Sequence, residues 1–371
     1  MRLFFSCGET SGDMYAANLI KALPSSIKTF GNGGEKMEAE GCDLLVNVVS
    51  HSTIGFIEPL IKIPFFLNVL KKTKQFILTN NIQAVVIIDH QGFNIPLAKW
   101  CKSKNIRVIS FISPQFWIWG KKEKAIEFCS YCDHIACIFK KEFEYYQAIA
   151  PTKVSFVGHP LMSLLPEKRT AKDVVVGLFP GSRQQELRYC LPLMLEVAEE
   201  LRAKNPNLTF KLAVASKKMG EMIQHEMKGY PFEIELCEDS RQVIAEAHAS
   251  LVASGTVSLE HALVGTPCVV VYKFSRVSYW LARWLVLKKL QENCHGFIAL
   301  PNILAKKEVC PELLQARATV KNATEEMHAL LTDEKYHMTI QQAFKRIHSQ
   351  LVSEKNTFSL VVDQILSAET H

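Results

Sequence analysis

The sequence ASGTVSLEHALVGTPCVVVYK (Ala253–Lys273) predicts a strand end, a glycine turn, a short helix and a buried strand, in that order. Ser254 or Thr256 can cap a helix that runs to about Val264, and the Gly-Thr-Pro triplet that follows ends it. The apolar run Cys268–Tyr272 is typical of a strand covered on both faces. A strand, a crossover helix and a second strand predict a parallel sheet, and therefore an α/β fold.

The start of this helix is a candidate phosphate-binding site. Unpaired backbone N–H groups near Gly255 and Thr256, together with the positive end of the helix dipole, favour an anion. Glu260 follows about one turn later, where a carboxylate repels a phosphate but can accept hydrogen bonds from two sugar hydroxyls. These features indicate a nucleotide held by its diphosphate and its ribose. An ordinary turn with a solvated Glu260 explains the segment equally well.

Strand-like runs alternate with helix-length segments along most of the chain, which predicts two doubly wound parallel sheets facing a cleft. The mixed-charge stretch Leu164–Lys172 is the expected linker. We expect an N-terminal α/β domain over residues 1–163, a second α/β domain over 164–332, and terminal helices over 333–371 that pack back toward the first domain. The predicted strands are Leu3–Cys7, Ala84–Asp89, Arg107–Ile112, His134–Phe139, Val154–Val157, Val174–Phe179, Thr209–Ala215, Phe232–Leu236, Ser250–Ala253 and Cys268–Tyr272.

The composition excludes several classes of protein. With 371 residues, 48% of them hydrophobic and 22% charged, the chain is typical of a globular protein of two domains. The net charge of +6 suits anionic substrates or an anionic membrane surface, but it does not indicate a nucleic-acid binder. No uncharged apolar run is long enough for a transmembrane helix. The N-terminal apolar run is too short for a signal peptide, so we expect a cytoplasmic protein.

The cysteine content predicts reduced thiols. There are 11 cysteines, and a cytoplasmic chain keeps them unpaired. The group Cys129, Cys132, His134 and Cys137 has the spacing of half a zinc site. It lacks a second CxxC pair, and Cys137 lies in an apolar strand, so buried free cysteines are the better interpretation.

Polar residues at the carboxyl ends of strands are candidate ligand-binding residues, because ligands of doubly wound sheets bind there. Asp89 follows an apolar strand that can raise the pKa of its carboxyl group, so it is either a general base or a helix N-cap. Arg183, in the turn PGSR, can fork two phosphate oxygens or pair with Glu186. Glu9 and Asp13, after the first strand, can bind hydroxyl groups or cap the helix after Gly12.

Short motifs occur in the order GETSGD, SPQFWIW, GHP, PGSR, SGTVSLE and LPN between about Arg2 and about Leu314. The ordered set closely resembles the lipid-A-disaccharide synthase family, whose members are glycosyltransferases. The resemblance implies the GT-B architecture, which has two Rossmann-like domains facing a cleft. It leaves only the last helices unmarked.

The resemblance also implies a reaction. Family members join UDP-2,3-diacylglucosamine to 2,3-diacylglucosamine 1-phosphate (lipid X) in lipid A (lipopolysaccharide) biosynthesis. The product is a β-1,6 disaccharide phosphate, and UDP is released with inversion. The resemblance implies no cofactor beyond the UDP-sugar substrate and no catalytic metal. Because both substrates carry acyl chains, we expect peripheral association with the inner face of the cytoplasmic membrane. The resemblance is also compatible with a homo-oligomer.

Site residues follow from the resemblance by position. Asp89 matches the essential acid of the family. The family usually has the pattern D-x-P-D-F-N there, and Gln91 and Gly92 stand in place of its proline and second aspartate. Asp89 ends the strand, so it remains the expected base. The positions on the UDP side are Arg183, Gly255, Thr256, Glu260 and Asn302. The positions in the N-terminal loop, on the acceptor side, are Glu9, Ser11 and Asp13.

Two segments are candidates for contact with a lipid surface. Ile57–Phe76 and Ser278–Leu290 both place apolar and aromatic residues beside lysines or arginine. Helices that face the core with solvated lysines are the alternative for both. In the first segment, Pro64 and the two phenylalanines after it are expected to interrupt the helical pattern.

Two other functions remain open at this point. Another UDP-sugar enzyme of the same architecture, such as a UDP-GlcNAc 2-epimerase or an N-acetylglucosaminyl transferase, fits the strand-end motifs. A non-catalytic module that binds nucleotide sugars fits them too. The apolar segments with basic residues count against such a module, because a soluble ligand does not require them.

Overall fold

The computed structural model describes residues 1–51, 62–169, 173–230, 232–273 and 296–367. The chain divides into two compact units, one formed by residues 1–163 with 351–371 and the other by residues 164–350. Among the helices in these described ranges, none combines the length and the apolarity needed to cross a bilayer. The predicted lipid-contact segment Ser278–Leu290 lies outside the described residues.

The sheet of the first unit is entirely parallel, with the order β3-β2-β1-β4-β5-β6-β7. Its central strand β4 is buried along its whole length, because helices cover both faces of a parallel sheet. The strands are β1 (Arg2–Ser6), β2 (Lys28–Gly33), β3 (Asp43–Asn47), β4 (Ala84–Ile88), β5 (Arg107–Phe111), β6 (His134–Cys137) and β7 (Val154–Phe156). The helices between them are α1 (Thr10–Ala22), α2 (Glu35–Ala39), α3 (Ile63–Thr79), α4 (Gln91–Ser103), α5 (Phe116–Trp119), α6 (Lys122–Tyr131) and α7 (Lys140–Gln147).

The second unit repeats the design with the parallel order β10-β9-β8-β11-β12-β13. Its strands are β8 (Val175–Phe179), β9 (Thr209–Ala213), β10 (Glu235–Cys237), β11 (Ala249–Ala253), β12 (Cys268–Tyr272) and β13 (Glu312–Leu314). Its helices are α8 (Gln184–Lys204), α9 (Lys217–Met227), α10 (Ser240–Glu246), α11 (Thr256–Val264), α12 (Leu300–Ala305), α13 (Val320–Thr332) and α14 (Glu334–Leu351).

The stretch Ala253–Lys273 folds as its sequence predicts. The helix α11 connects β11 to β12, which pair in parallel. It ends at Val264, and Gly265 follows with a φ of 85° in the left-handed region. The prediction that a side chain of Ser254 or Thr256 caps this helix is wrong, since Gly255 is the N-cap and no side chain caps it.

The last helix, α15 (Thr357–Leu366), belongs to the first unit. Its carboxyl end is fixed by Arg107, whose guanidinium donates to the carbonyl oxygens of Ile365 and Gln364 at 2.6 Å each. Cations are favourable at this end of a helix, where carbonyl groups lack partners. The terminal segment expected over 333–371 is therefore divided, since residues 351–371 lie in the first unit and α14 lies almost wholly in the second.

Sequence analysis did not predict three of the strands. The strand β2 reads KTFGNG, and its two glycines and its polar residues hide the apolar pattern of a strand. β3 is only half-buried, and β13 is three residues long and directly follows a proline. All three lie toward the edges of their sheets, where a short or polar strand is tolerated.

The four residues with zinc-like spacing have other environments. Cys129, Cys132 and Cys137 are buried free thiols. The ring of His134 instead contacts the hydroxyl of Ser155, at 2.8 Å from its Nε2 atom. Within the described residues, no group of three histidine, cysteine or acidic side chains is arranged to hold a metal ion.

Candidate active site

The strand order places the candidate residues at two corresponding points. In each sheet the order reverses direction at one pair of neighbouring strands, β1 and β4 in the first and β8 and β11 in the second. Loops that leave such a pair diverge to opposite faces of the sheet and open a crevice for a ligand. Glu9 and Asp89 follow the first pair, and Arg183 and Gly255 follow the second.

Asp89 directly follows β4 and adopts a left-handed conformation with φ of 47°. The N-cap position of α4 is occupied by His90, and no side chain caps this helix. The N-cap interpretation of Asp89 is therefore wrong. The side-chain amide of Asn94 holds the turn by donating to the carbonyl oxygens of Asp89, at 2.8 Å, and Ile88, at 3.3 Å.

The environment of Asp89 raises the pKa of its carboxyl group to about 6. Burial is the main cause, and the nearby negative charge of Glu9 adds to it. A hydrogen bond from the backbone of His90 offsets part of this increase. A carboxylate with such a pKa accepts a proton more readily than an ordinary aspartate near neutral pH, as a general base must.

The three residues of the N-terminal loop have different environments. Glu9 is exposed at the N-cap position of α1, and its side chain makes no capping hydrogen bond. Ser11 is half-buried in the first turn of α1, which begins at Thr10 rather than after Gly12. Asp13 is buried and caps a different helix, α2, by accepting from the backbone N–H groups of Gly34, Lys36 and Met37 at 2.8, 3.1 and 3.2 Å.

A buried glutamate that sequence analysis missed supports the SPQFWIW loop. Glu142 accepts hydrogen bonds from the backbone N–H and the hydroxyl of Ser113, and from the backbone N–H groups of Ile138 and Phe139. Burial raises the pKa of Glu142 to about 7, although these hydrogen bonds stabilise the ionised form. The residue before Ser113, Ile112, has a φ of 64°, which is rare for a β-branched side chain. Glu142 thus anchors a strained turn at the same edge of the sheet as Asp89.

In the second unit, Arg183 pairs with a buried glutamate. One of its guanidinium nitrogens lies 2.7 Å from Oε1 of Glu186, while Oε2 of Glu186 accepts from the backbone N–H of Ser182 at 3.0 Å. The hydroxyl of Tyr272, at the end of β12, lies 3.4 Å from the same Oε1 atom. The pairing that the sequence offered as an alternative is therefore present. It also orients Arg183, whose other N–H groups can still bind a phosphate.

The start of α11 is open with respect to the described residues. Gly255 is exposed, and a Cβ atom added to it would meet no described atom within 4 Å. Neither crowding nor a left-handed φ therefore requires glycine there, whereas close approach of a phosphate to the backbone would require it. Thr256 is exposed in the first turn, and Glu260 is half-buried on the next.

Asn302 is buried and has a structural environment. Its amide group donates to the carbonyl oxygen of Cys310 and to Glu312, both at 2.8 Å, and its oxygen accepts from the backbone N–H groups of Val309 and Cys310. Glu312 in turn accepts from the backbone at the start of α12. Any influence of Asn302 on a ligand therefore acts through the position of α12 and the loop that follows it.

Comparison with known proteins identifies the family. The family model described as lipid-A-disaccharide synthetase matches residues 3–362. The chain belongs to the lipid-A-disaccharide synthase family. A curated member from Trichlorobacter lovleyi is 32% identical over 365 residues, which cover 94% of this chain and 93% of the relative. The family assignment from the sequence motifs is thereby confirmed, and so is an enzyme of lipid A biosynthesis that transfers a sugar from a UDP-sugar.

Solved structures confirm the GT-B fold. A putative UDP-N-acetylglucosamine 2-epimerase from Listeria monocytogenes matches with a TM-score of 0.63 at 12% identity, covering 100% of this chain and 97% of the other. The calicheamicin glycosyltransferase CalG4 matches with a TM-score of 0.62 at 11% identity, covering 99% and 98%. Because epimerases and glycosyltransferases share this fold, the structural likeness alone does not distinguish them. Membership of the lipid-A-disaccharide synthase family distinguishes them, because it identifies a glycosyltransferase.

Proposed function

We propose that this lipid-A-disaccharide synthase family member condenses UDP-2,3-diacylglucosamine with 2,3-diacylglucosamine 1-phosphate (lipid X). The products are a β-1,6-linked disaccharide 1-phosphate and UDP. The observation that carries the proposal is Asp89, an acid with a raised pKa at the point where the order of the first sheet reverses. Such an acid suits the activation of an acceptor hydroxyl.

The reaction proceeds as a single displacement. Asp89 accepts the proton of the acceptor 6-hydroxyl while that oxygen attacks the anomeric carbon of the donor. The bond between this carbon and the diphosphate breaks, and UDP leaves with the bonding electrons. One displacement inverts the anomeric configuration, so the reaction needs one base and a stabilised leaving group.

The second unit supplies the leaving-group site in this proposal. The amino end of α11 has no side-chain cap and carries a positive dipole, and the exposed Gly255 lets a diphosphate approach its backbone N–H groups. Arg183, oriented by Glu186, binds the diphosphate oxygens. Glu260 accepts the ribose hydroxyls, and Thr256 contacts the phosphate. Asn302 holds α12 in place beside this site. In the first unit, Glu9 and Ser11 contact the acceptor, and Asp13 on the same helix holds the start of α2.

Product analysis tests the proposed reaction. Purified protein with both lipid substrates should release UDP and form a disaccharide phosphate, with the same rate in the presence of a chelator. Release of UDP should require lipid X. Conversion of UDP-GlcNAc to its epimer without an acceptor would instead identify an epimerase. Binding of UDP without any turnover would identify a binding module, and either result would refute the proposal.

The raised pKa of Asp89 predicts the pH dependence of the reaction. A base must be ionised to accept a proton, so kcat/KM should rise with pH through about 6 and then level off. At pH 5 it should be about tenfold below the plateau. Because the charge of Glu9 contributes to the increase in pKa, Glu9→Gln should move the rise to lower pH. A rise at the same pH in Glu9→Gln and the native protein would contradict this origin of the shift.

We also propose that the amino end of α3 contacts an anionic lipid surface at the inner face of the cytoplasmic membrane. Ile63 and Leu67 are 48% and 61% exposed there, and Lys71 and Lys72 are exposed on the following turn. Apolar side chains beside basic ones are typical of helices that lie in the membrane interface. The helix leads into β4 from its carboxyl end, so its amino end lies at the edge of the sheet that carries Asp89.

The two phenylalanines of this helix have another environment. Pro64 lies in the first turn, where proline is tolerated, and the helix continues without interruption through Phe65 and Phe66. Both rings are half-buried and pack against the core of the first unit. The expected interruption of the helical pattern is therefore wrong, and the lipid contact is assigned to Ile63 and Leu67.

The double variant Ile63→Ser/Leu67→Ser should bind anionic vesicles more weakly and should raise the apparent KM for the lipid acceptor, because it removes exposed apolar area. The affinity for UDP should not change. Leu78→Ser is the matched control, since Leu78 is 51% exposed at the opposite end of the same helix. Cosedimentation with phosphatidylglycerol vesicles measures the effect. Equal binding by the folded double variant and the native protein would remove this helix from the lipid contact.

A further inference from the structure

The turn that carries Asp89 contains two consecutive non-glycine residues in the left-handed region. Asp89 has a φ of 47° and His90 a φ of 48°. Such conformations carry a steric cost for residues with a Cβ atom, although aspartate and histidine adopt them more often than most, and contacts with the surroundings offset that cost. The contacts of these two residues therefore determine where the carboxylate of Asp89 points.

Asn94 provides one half of this support. Its amide group donates to the carbonyl oxygens of Ile88, Asp89 and Ser6, and its oxygen accepts from the hydroxyl of Ser6 at 2.6 Å. These hydrogen bonds hold the ends of β1 and β4 together. The Asn94 side chain bonds to Ser6, Ile88 and Asp89 but not to His90, so these hydrogen bonds do not explain the conformation of His90.

The ring of His90 provides the other half. It stacks on the ring of Phe93 with an interplanar angle of 8° and centroids 5.8 Å apart. The ring of Phe66, from α3, meets it in an edge-on arrangement at 5.3 Å. On the side of β1 it lies directly against Gly8, where an added Cβ atom would fall 2.3 Å from Nδ1. The imidazole thus touches three separate elements around the turn.

These ring contacts act beside the backbone hydrogen bonds in which the N–H groups of Phe93 and Asn94 donate to the carbonyl oxygen of His90. Gln91 and Gly92, the first two residues of α4, follow His90 directly. A glycine in the first turn of a helix leaves the backbone beside His90 more conformational freedom than a residue with a side chain would. A Cβ atom on Gly92 would meet no described atom within 4 Å, so the surrounding space does not require glycine.

We propose that His90 is a positioning residue whose ring, held by Gly8, Phe66 and Phe93, maintains the left-handed turn that orients Asp89. The role depends on the shape and contacts of the ring and not on proton transfer. The proposal builds on the assignment of Asp89 as the base in the proposed function. It also makes Phe66 a link between α3 and the turn.

Substitution of His90 separates positioning from other roles. His90→Ala should lower kcat at least tenfold while the donor KM and the affinity for UDP change less than about twofold. His90→Phe keeps a planar ring and should retain kcat within about threefold. Equal losses in both variants would assign a chemical role to the imidazole, and native kcat in His90→Ala would remove the residue from the site. Both outcomes overturn the proposal.

A double-mutant cycle with Gly8 tests the contact itself. Gly8→Ala should lower kcat in the native background, because its methyl group displaces the ring of His90. In the His90→Ala background the same substitution should have little effect, because the ring is gone. Additive losses would show that the two residues act independently, which contradicts the proposal.

Hydrogen exchange gives a readout that does not depend on the substrate. The backbone N–H groups of Phe93 and Asn94 donate to the carbonyl oxygen of His90 at 3.1 and 3.0 Å. Their exchange should accelerate in His90→Ala and stay slow in His90→Phe, with the rest of the first unit unchanged. Unchanged exchange in His90→Ala would overturn the positioning role even if the native protein makes the expected disaccharide. Accelerated exchange without disaccharide synthesis by the native protein would instead locate the failure in the proposed function.

Discussion

Asp89→Asn is expected to lower kcat by about 10²–10⁴-fold, which is the range for loss of a general base. An amide at this position keeps the size of the side chain but cannot accept the proton of the acceptor hydroxyl. The turn should survive, because Asn94 holds its backbone through the carbonyl of Asp89. The affinity for UDP should be unchanged, since the proposed UDP site lies in the second unit. Steady-state turnover with both lipid substrates, beside calorimetry with UDP, measures the two quantities.

A near-native kcat in Asp89→Asn would refute the assignment. Glu9 would then be the next candidate, because it is exposed at the end of the neighbouring strand. Asp13 is a weaker candidate than its sequence suggests, since three backbone N–H groups occupy its carboxylate. Asp13→Asn should therefore act mainly by loosening the start of α2.

The second large effect concerns UDP. Glu260→Ala and Arg183→Ala should each weaken UDP binding by about 10- to 100-fold. Each removes hydrogen bonds to a charged group, which contribute about 1.5–3 kcal/mol. Glu260→Ala should act through the ribose and should weaken uridine binding as well. Arg183→Ala should act through the diphosphate, so it should leave uridine binding unchanged. Calorimetry with UDP and with uridine distinguishes the two contributions.

Arg188→Ala is the matched control for Arg183, since Arg188 lies exposed on the same helix, where it packs over the ring of Tyr189. It should leave the affinity for UDP unchanged. Native UDP affinity in both Glu260→Ala and Arg183→Ala would refute the location of the site at the ends of β8 and β11.

The sequence predicts the fold well where burial leaves a clear apolar pattern. The runs that became β4 and β12 are apolar along their lengths because helices cover both faces of a parallel sheet. The polar, glycine-containing run of β2 gives no such pattern, although its position in the sheet is equally fixed by its pairing with β1. Pairing between strands is a tertiary property, and a single segment does not reveal it.

The sequence predicts where the candidate site residues lie along the chain, but it does not predict the hydrogen-bond partners of their side chains. Strand ends located Asp89 and Arg183, because polar residues after apolar runs are conspicuous. The partners of Asp13 and Asn302 lie on other elements, so no local pattern indicates that backbone groups occupy their side chains. His90 was missed for a related reason, since two of its three ring contacts, with Gly8 and Phe66, come from distant parts of the sequence that only the fold brings together.

The position of α15 has a consequence for synthesis of the protein on the ribosome. Residues 164–350 form one continuous stretch, so the second unit has its whole sequence before residues 351–371 emerge. Most of the unit that carries Asp89 is made first, yet it lacks α15 and the carbonyl partners of Arg107 until the residues Thr357–Leu366 have been made. Successive domains usually fold in order from the amino terminus. The first unit cannot complete its fold in that order, because α15 is made last. The nascent first unit must wait for the second to be made, with part of its apolar surface uncovered in the meantime.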